Sequence, residues 1–359
     1  MNLKEIANIR LSNQQISNSR FKKVKDVVGF MGAIQAQDYE MAKWAIGLRL
    51  PGSTEKIITD AIDKAEIIRT HLLRPTWHFV SADDIYWLLQ LTAPQIKSSM
   101  KSRNKELGLT EAVFDKSNKV LINTLSGRKN LTREELNKEF EIAKINTSNN
   151  RLSHLLMEAE LDGIVCSGEI KGKKQTYAIL PERVQNKKVF SKEESLAELA
   201  NRYFSSHGPA ALKDFVWWSG LPVKEAKSAL ELVKSNLIHE IFNSEIYWLS
   251  GSSSISHNSQ KSIHLLPGYD EYIISYKDRS AMLTIKDKKK TVSNNGIFRP
   301  VIILNGQVIG IWRKNTKSDK IIIEIESFIS FSKAVIKLIK NASLELEHFF
   351  NKKVELLFE

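Results

Sequence analysis

Apolar residues recur along the first eighty positions at two different periods, and the periods assign the elements. Phe21, Val24, Val27, Val28, Met31 and Ile34 follow at steps of three and four, the stripe of an amphipathic helix whose end delivers Gln35 and Gln37. Ile57, Ile58, Ala61, Ile62 and Ala65 repeat the spacing after a Pro51-Gly52 turn, with Ser53 or Thr54 as the cap. The period then shortens. Residues 67–73 and 76–80 are strand-forming runs on either side of Arg74-Pro75, which predicts a short β-hairpin. Helices followed by a hairpin make a winged helix-turn-helix.

The same grammar returns twice. Thr132 and Glu135 form a capping-box pattern, Leu152, Leu155, Leu156, Ala159 and Leu161 continue at helical spacing, and residues 164–167 and 176–179 read as strands around the basic loop 168–174. A third copy starts near Glu193 with Leu196, Leu199, Ala200 and Tyr203, stops at Gly208-Pro209, and continues through helices over 211–219 and 224–236 to a hairpin over 237–249. Residues 251–261 are small and polar and read as a linker or mobile loop. Beyond them, residues 301–304, 307–312 and 320–325 are strands, Asn305-Gly306 is a two-residue hairpin turn, and a helix over 332–350 covers them. The expected architecture is helix-rich α+β: winged helices over 1–110, 111–190 and 191–251, then a β-rich α/β unit over 252–359. Together they would form a C-shaped surface for DNA.

Composition narrows the partner. Lys and Arg outnumber Asp and Glu by 53 to 41, a net charge of +12, which suits a polyanion. Cys166 is the single cysteine, so no internal disulfide or Cys-based metal framework is available and a reducing cytoplasm is the expected compartment. No run approaches the ~20 apolar residues of a membrane span. The eight His are scattered without a third ligand at metal spacing, and there is no Gly-rich phosphate loop, so neither a metal nor a cofactor is expected.

Four blocks carry candidate chemistry: Gln35-Ala-Gln37-Asp38-Tyr39, Arg74-Pro-Thr-Trp77-His78, His264-Leu-Leu-Pro267-Gly-Tyr-Asp-Glu-Tyr272 with Lys277-Asp-Arg279, and Gly296-Ile-Phe-Arg299-Pro300 with Gly310-Ile-Trp-Arg313. In this order they resemble the AlkZ-like family of winged-helix DNA glycosylases. The resemblance implies base excision by the Gln-x-Gln motif, hence by Gln35 and Gln37, with Asp38 and Tyr39 as supporting residues. In the sister YcaQ-like branch an acid replaces the second Gln; this chain keeps the Gln.

The chemistry implied is hydrolysis of the bond from C1′ to a base nitrogen through an oxocarbenium-like transition state. An N3- or N7-alkylated purine is already cationic and departs neutral, so no strong general acid is needed. Gln is no general base, but its carbonyl can orient water and its amide can donate. Residues i and i+2 share a side only in extended chain, so the pair converges only where the helix has ended by Gln35. Asp38 is the rival group, able to support the oxocarbenium or accept a proton. Two amides at a helix end serve equally as caps or solvated surface.

Arg74, Trp77 and His78 lie beside a turn where they could meet phosphates or a lesion, or Trp77 could simply pack into the core. The block from His264 to Glu271 resembles the family's lesion-proximal loop, or is a structural turn set by Pro267-Gly268. Lys277, Arg279, Arg299 and Arg313 are candidate phosphate contacts or surface ion pairs. No particular Lys stands out as a Schiff-base nucleophile, which points to a monofunctional enzyme, and three tandem copies suit a monomer on damaged duplex DNA. The competing reading is a noncatalytic winged-helix regulator in which Gln35 and Gln37 cap or touch phosphate.

Overall fold

The computed structural model describes residues 1–251 and 262–358. Helix α1 (Leu3–Asn13) opens on a capping box between Asn2 and Glu5. Six elements follow in the order helix, strand, helix, helix, strand, strand: α2 (Val24–Met31), β1 (Ile34–Gln35), α3 (Tyr39–Leu48), α4 (Glu55–Asp63), β2 (Ile67–Leu72) and β3 (Thr76–Ser81). Strand β3 lies between β1 and β2, antiparallel to both. The helical stripe expected to reach Ile34 ends at Met31. Gly32, at φ 78°, turns the chain out of the helix, and Ile34 enters the sheet opposite Phe79.

Helix α5 (Ile85–Glu106), 22 residues with Pro94 inside it, leads to a second run of the same order. This comprises α6 (Glu111–Leu125), β4 (Leu131–Thr132), α7 (Arg133–Ile142), α8 (Arg151–Leu161), β5 (Val165–Ser167) and β6 (Thr176–Ile179). Its middle strand is again the last, β6. The Thr132 side chain and the Glu135 carboxylate close the capping box expected for α7. After the short α9 (Leu180–Arg183), the order returns in α10 (Lys192–His207), α11 (Leu212–Ser219), α12 (Val223–Val233), β7 (Leu237–Phe242) and β8 (Glu245–Ser250). Here a single bridge from Ala210 to Trp248 occupies the place of the short first strand.

The chain from residue 252 to 261, within the stretch expected to be a linker, lies outside the described residues. The remainder contains β9 (Ile263–Leu266), α13 (Glu271–Ile274), α14 (Lys288–Thr291), β10 (Val301–Leu304), β11 (Gln307–Thr316), β12 (Lys320–Ser327), α15 (Lys333–Phe350) and β13 (Lys353–Phe358). The strands form one sheet in the order β13-β12-β11-β10-β9. Two of them were not expected: β9, in which His264 lies opposite Ile303, and β13, which returns parallel to β12 after α15.

The core explains how these parts hold one another. Leu121, Leu125, Leu136, Phe140, Leu155 and Leu156 form a cluster belonging to the second run alone. By contrast, one large cluster joins Val27, Val28, Met31 and Phe79 to Tyr203, Phe215 and Trp218, and to Leu265, Val301 and Trp312. Indole hydrogen bonds stitch the same seam: Trp44 Nε1 donates to the Leu265 carbonyl at 2.8 Å and Trp312 Nε1 to that of Leu266 at 2.9 Å. The architecture is a mixed α+β fold, and no described helix is long and apolar enough to cross a membrane.

Candidate active site

The Gln-x-Gln motif occupies the edge strand of the first sheet and the bend after it. Gln35 pairs with His78 and Ile34 with Phe79, so alternation sends Gln35 and His78 to one face and Ile34, Trp77 and Phe79 to the other. Gln37 follows in non-helical chain. Asp38 then caps α3, its Oδ1 accepting from the Met41 amide at 3.1 Å.

Both polar groups of Ala36 and the amides of Gln35 and Gln37 have partners in this bend. The Gln35 N–H donates to Glu271 Oε1 at 2.6 Å, and the Ala36 N–H donates to the Trp77 carbonyl at 2.7 Å. The Ala36 carbonyl accepts from Arg69 Nε and Nη2 at 3.1 and 3.0 Å, and the Gln37 N–H donates to Gln35 Oε1 at 3.0 Å. Because only an oxygen can accept from that N–H, the Gln35 carboxamide orientation is fixed. Gln35 is buried and Gln37 exposed. The arrangement holds one amide rigidly beneath a second that is free to meet water or substrate.

Glu271 is the keystone of this geometry. It is 1 % exposed, and its Oε2 accepts from Trp218 Nε1 at 3.0 Å and from the Ser275 hydroxyl. His207 Nε2 lies 3.6 Å from the same oxygen. Burial alone would raise the carboxyl's pKa, but the donors and the neighbouring imidazoles of His207 and His78 hold it down at about 2. Its neighbour Asp270 forms a two-pronged ion pair with Arg49, both contacts at 2.9 Å, and Arg49 Nη2 also donates to Gln14 Oε1 at 2.8 Å. The Tyr-Asp-Glu part of the third block thus plugs into the first sheet from behind.

His78 is buried, and desolvation pushes its pKa down to about 4. Neutral His78 donates through Nδ1 to the Thr76 carbonyl at 3.0 Å, beside Gln35 on the same sheet face. Arg74, at the hairpin tip, stands 5.3 Å from the Trp217 ring centroid; Lys277 Nζ is at 4.9 Å and Arg279 at 5.5 Å from the same ring.

The other expected residues lie elsewhere. Trp77 faces away from Gln35, with the Arg69 guanidinium 3.9 Å from its ring centroid and the His71 ring tilted against it at 3.9 Å, so strand alternation puts it in packing. Of the loop expected over residues 264–271, positions 264–266 lie in strand β9 and 267–270 form the turn that follows it. Burial drives the His264 pKa down to about 4, and its Nε2 has no partner among the described residues. Pro267 is buried in the turn that presents Asp270 and Glu271. Arg299 is half-buried, and Arg313 is exposed on β11 opposite Glu324. Tyr39, half-buried, has its ring centroid 5.6 Å from Arg69. Sequence reasoning passed over Arg69, Trp217 and Trp218. Arg69 alone left a trace, a charge inside a strand-forming run.

A family model for AlkZ-like DNA glycosylases matches residues 28–349. The chain belongs to that family. It is a DNA glycosylase, and its substrate is DNA. A curated interstrand DNA cross-link repair glycosylase of Streptomyces sahachiroi is 21 % identical over 319 residues, covering 84 % of this chain and 85 % of the relative. The solved structure of Streptomyces sahachiroi DNA glycosylase AlkZ superposes with a TM-score of 0.81 at 18 % identity, over 99 % of this chain and 100 % of that one.

Among the described residues no group of three or more His, Cys, Asp or Glu could hold a metal ion. The site's own groups can orient water, donate hydrogen bonds and stabilise charge.

Proposed function

We propose that this DNA glycosylase is monofunctional and hydrolyses the N-glycosidic bond of N3- or N7-alkylated purines, including purines joined in an interstrand cross-link, in duplex DNA. The rigid Gln35–Gln37 bend carries this reading. Its three backbone amides are all hydrogen-bonded, its first side-chain amide is locked and its second is exposed. Such a bend is preorganised, so little rearrangement remains at the moment of reaction.

A water held by the Gln37 carboxamide attacks C1′ as the C1′–N bond breaks. The electron pair of that bond neutralises the cationic purine, which leaves without a proton from the enzyme. The water's proton passes to solvent, and an abasic site remains. Glu271 places a fixed negative charge behind Gln35, of the right sign for a sugar that becomes cationic.

The repeated helix-strand-helix-helix-strand-strand order supports three tandem winged helices, and the net charge of +12 supports a concave basic surface for damaged duplex. One chain carrying three such units can act as a monomer, and its single Cys166 suits the cytoplasm. The cross-link reading follows the description of the Streptomyces relative.

The test is product analysis on duplex DNA carrying N7-methylguanine and, separately, a purine cross-link. Free base should accumulate, and strands should break only after alkali. Breakage without alkali would replace the monofunctional reading with a lyase; tight binding with no base released from either duplex would make this a noncatalytic DNA-binding chain.

A further inference from the structure

Three cations share one indole here, and none of them forms an ion pair among the described residues. The Arg74 side chain has no hydrogen bond or ion pair among the described residues, and its Nε is buried unpartnered. Lys277 Nζ likewise contacts only the ring of Trp217. Arg279 donates from Nε to the Ile273 carbonyl at 2.8 Å, while its Nη2 is buried and unpartnered. The acids whose charge acts on them are engaged elsewhere: Glu271, which acts on Arg74, accepts from Gln35, Trp218 and Ser275. Asp214 accepts from the amides of Ala211, Lys277 and Asp278 and lies 3.7 Å from Arg10; Asp278 accepts from the Ser280 amide. Desolvation and the nearby charge of Arg74 lower the pKa of Arg279 to about 10, against the opposing pull of Asp214 and Asp278.

The cluster is built. Trp217 is itself held by Nε1 donating to the Ile274 carbonyl at 2.8 Å. Gly220, at φ 69°, ends α11 so close to the β2–β3 hairpin that a Cβ there would lie 2.4 Å from the Leu73 carbonyl oxygen. That contact seats Arg74 beside Trp217. The next residue, Trp218, donates to Glu271, which holds Gln35. The cation cluster and the Gln bend are thus two ends of one rigid connection.

We propose that Arg74, Lys277 and Arg279, arrayed on Trp217, clamp a single phosphodiester group of the strand that carries the excised base. Two planar guanidinium forks and one ammonium match a tetrahedral anion, and aromatic faces hold such cations without neutralising them. The clamp positions the strand and reads no sequence. Trp217 acts as the positioning residue. The proposal deepens the glycosylase reading and rests on it for the nature of the bound strand.

The test is binding of the full chain to a short undamaged duplex by fluorescence anisotropy across a salt series. Variants are Arg74→Gln, Lys277→Gln, Arg279→Gln, their triple combination, Trp217→Leu and Trp217→Phe, each checked by thermal unfolding. With one shared phosphate, the triple variant lowers the slope of log K against log salt by about 0.9, while each single variant, which leaves two cations on that phosphate, loses much less. Trp217→Leu should match the triple variant and Trp217→Phe should keep more than half of the effect. In a duplex scanned with neutral methylphosphonates, one linkage should erase the difference between wild type and triple variant.

A triple loss near ~2.7, shared additively, would assign each cation its own phosphate and overturn the clamp, as would an unchanged slope. Lys277 is exposed, so its variant keeps the test decisive even if another fails to fold. If the salt and methylphosphonate results hold while wild type releases no base, the catalytic reading fails and the clamp stands. Base release with an unchanged slope fails the clamp alone.

Discussion

Replacing Glu271 with Gln should slow base release far more than it weakens DNA binding. The carboxylate is 1 % exposed and accepts from three donors: the Gln35 N–H, Trp218 Nε1 and the Ser275 hydroxyl. A carboxamide offers one oxygen and one NH2. If the NH2 faces Gln35, two donors meet and the motif's anchor is lost; if it faces the other side, the Trp218 N–H is orphaned, since only Ser275 can rotate to accept. One buried donor left unpaired costs about 1–3 kcal/mol. Displacing the Gln bend by about 1 Å is enough for a rate loss on the order of 10²-fold.

The same residue sets a pH signature. Its folded-state pKa, about 2 against an ordinary 4.5, is depressed, so its contribution to stability is full above about pH 4.5 and is lost as pH falls towards 2. Linkage puts that contribution at roughly 3 kcal/mol. The Glu271→Gln variant should therefore be less stable than wild type at pH 7, and the difference should shrink on acidification. Denaturant unfolding at several pH values, single-turnover release of N7-methylguanine and anisotropy on undamaged duplex measure the three effects. A release rate within twofold of wild type, or a stability difference independent of pH, would refute the anchoring argument.

Other perturbations follow from the same geometry. Arg69→Lys removes the paired donation to the Ala36 carbonyl and should cost about 1–3 kcal/mol in chemical denaturation while slowing release at least tenfold under single turnover. Gly220→Ala forces a Cβ onto the Leu73 carbonyl at a left-handed φ; a loss of at least ~1–2 kcal/mol should appear in unfolding, with DNA affinity falling as Arg74 shifts. His264→Leu replaces a half-buried imidazole whose buried Nε2 has no partner among the described residues by a side chain of similar bulk, so stability should hold or rise and base release should be unchanged. A drop in release without a drop in stability would restore His264 to the DNA interface.

Much of this fold was legible because its signals are local. The α2 stripe, the Thr132–Glu135 capping box, the Gly208-Pro209 stop and the Asn305-Gly306 turn each act within a few residues. The strands that escaped are short and pair at a distance. β9 is four residues ending just before Pro267 and finds β10 almost forty positions later, while β13 needs α15 to bring it back to β12. Pro94 obscured the long α5.

The site divides in the same way. Gln35 and Gln37 could be marked from their motif, and the period-2 rule applied to Trp77 and His78 would have separated them. Yet the carboxylate that anchors Gln35 is 236 residues away, and Trp217 gathers cations from two distant segments. No spacing encodes such contacts; they exist only once the shared core has formed.

The most direct test of the account is single-turnover release of N7-methylguanine by wild type and by Gln37→Ala, with affinity for the same duplex measured in parallel. Gln37 is exposed and its side chain supports nothing in the fold, so release should disappear while affinity and unfolding midpoint stay within error. Undiminished release by Gln37→Ala, or a loss of release matched by an equal loss of binding, would contradict the claim that the Gln bend performs the excision.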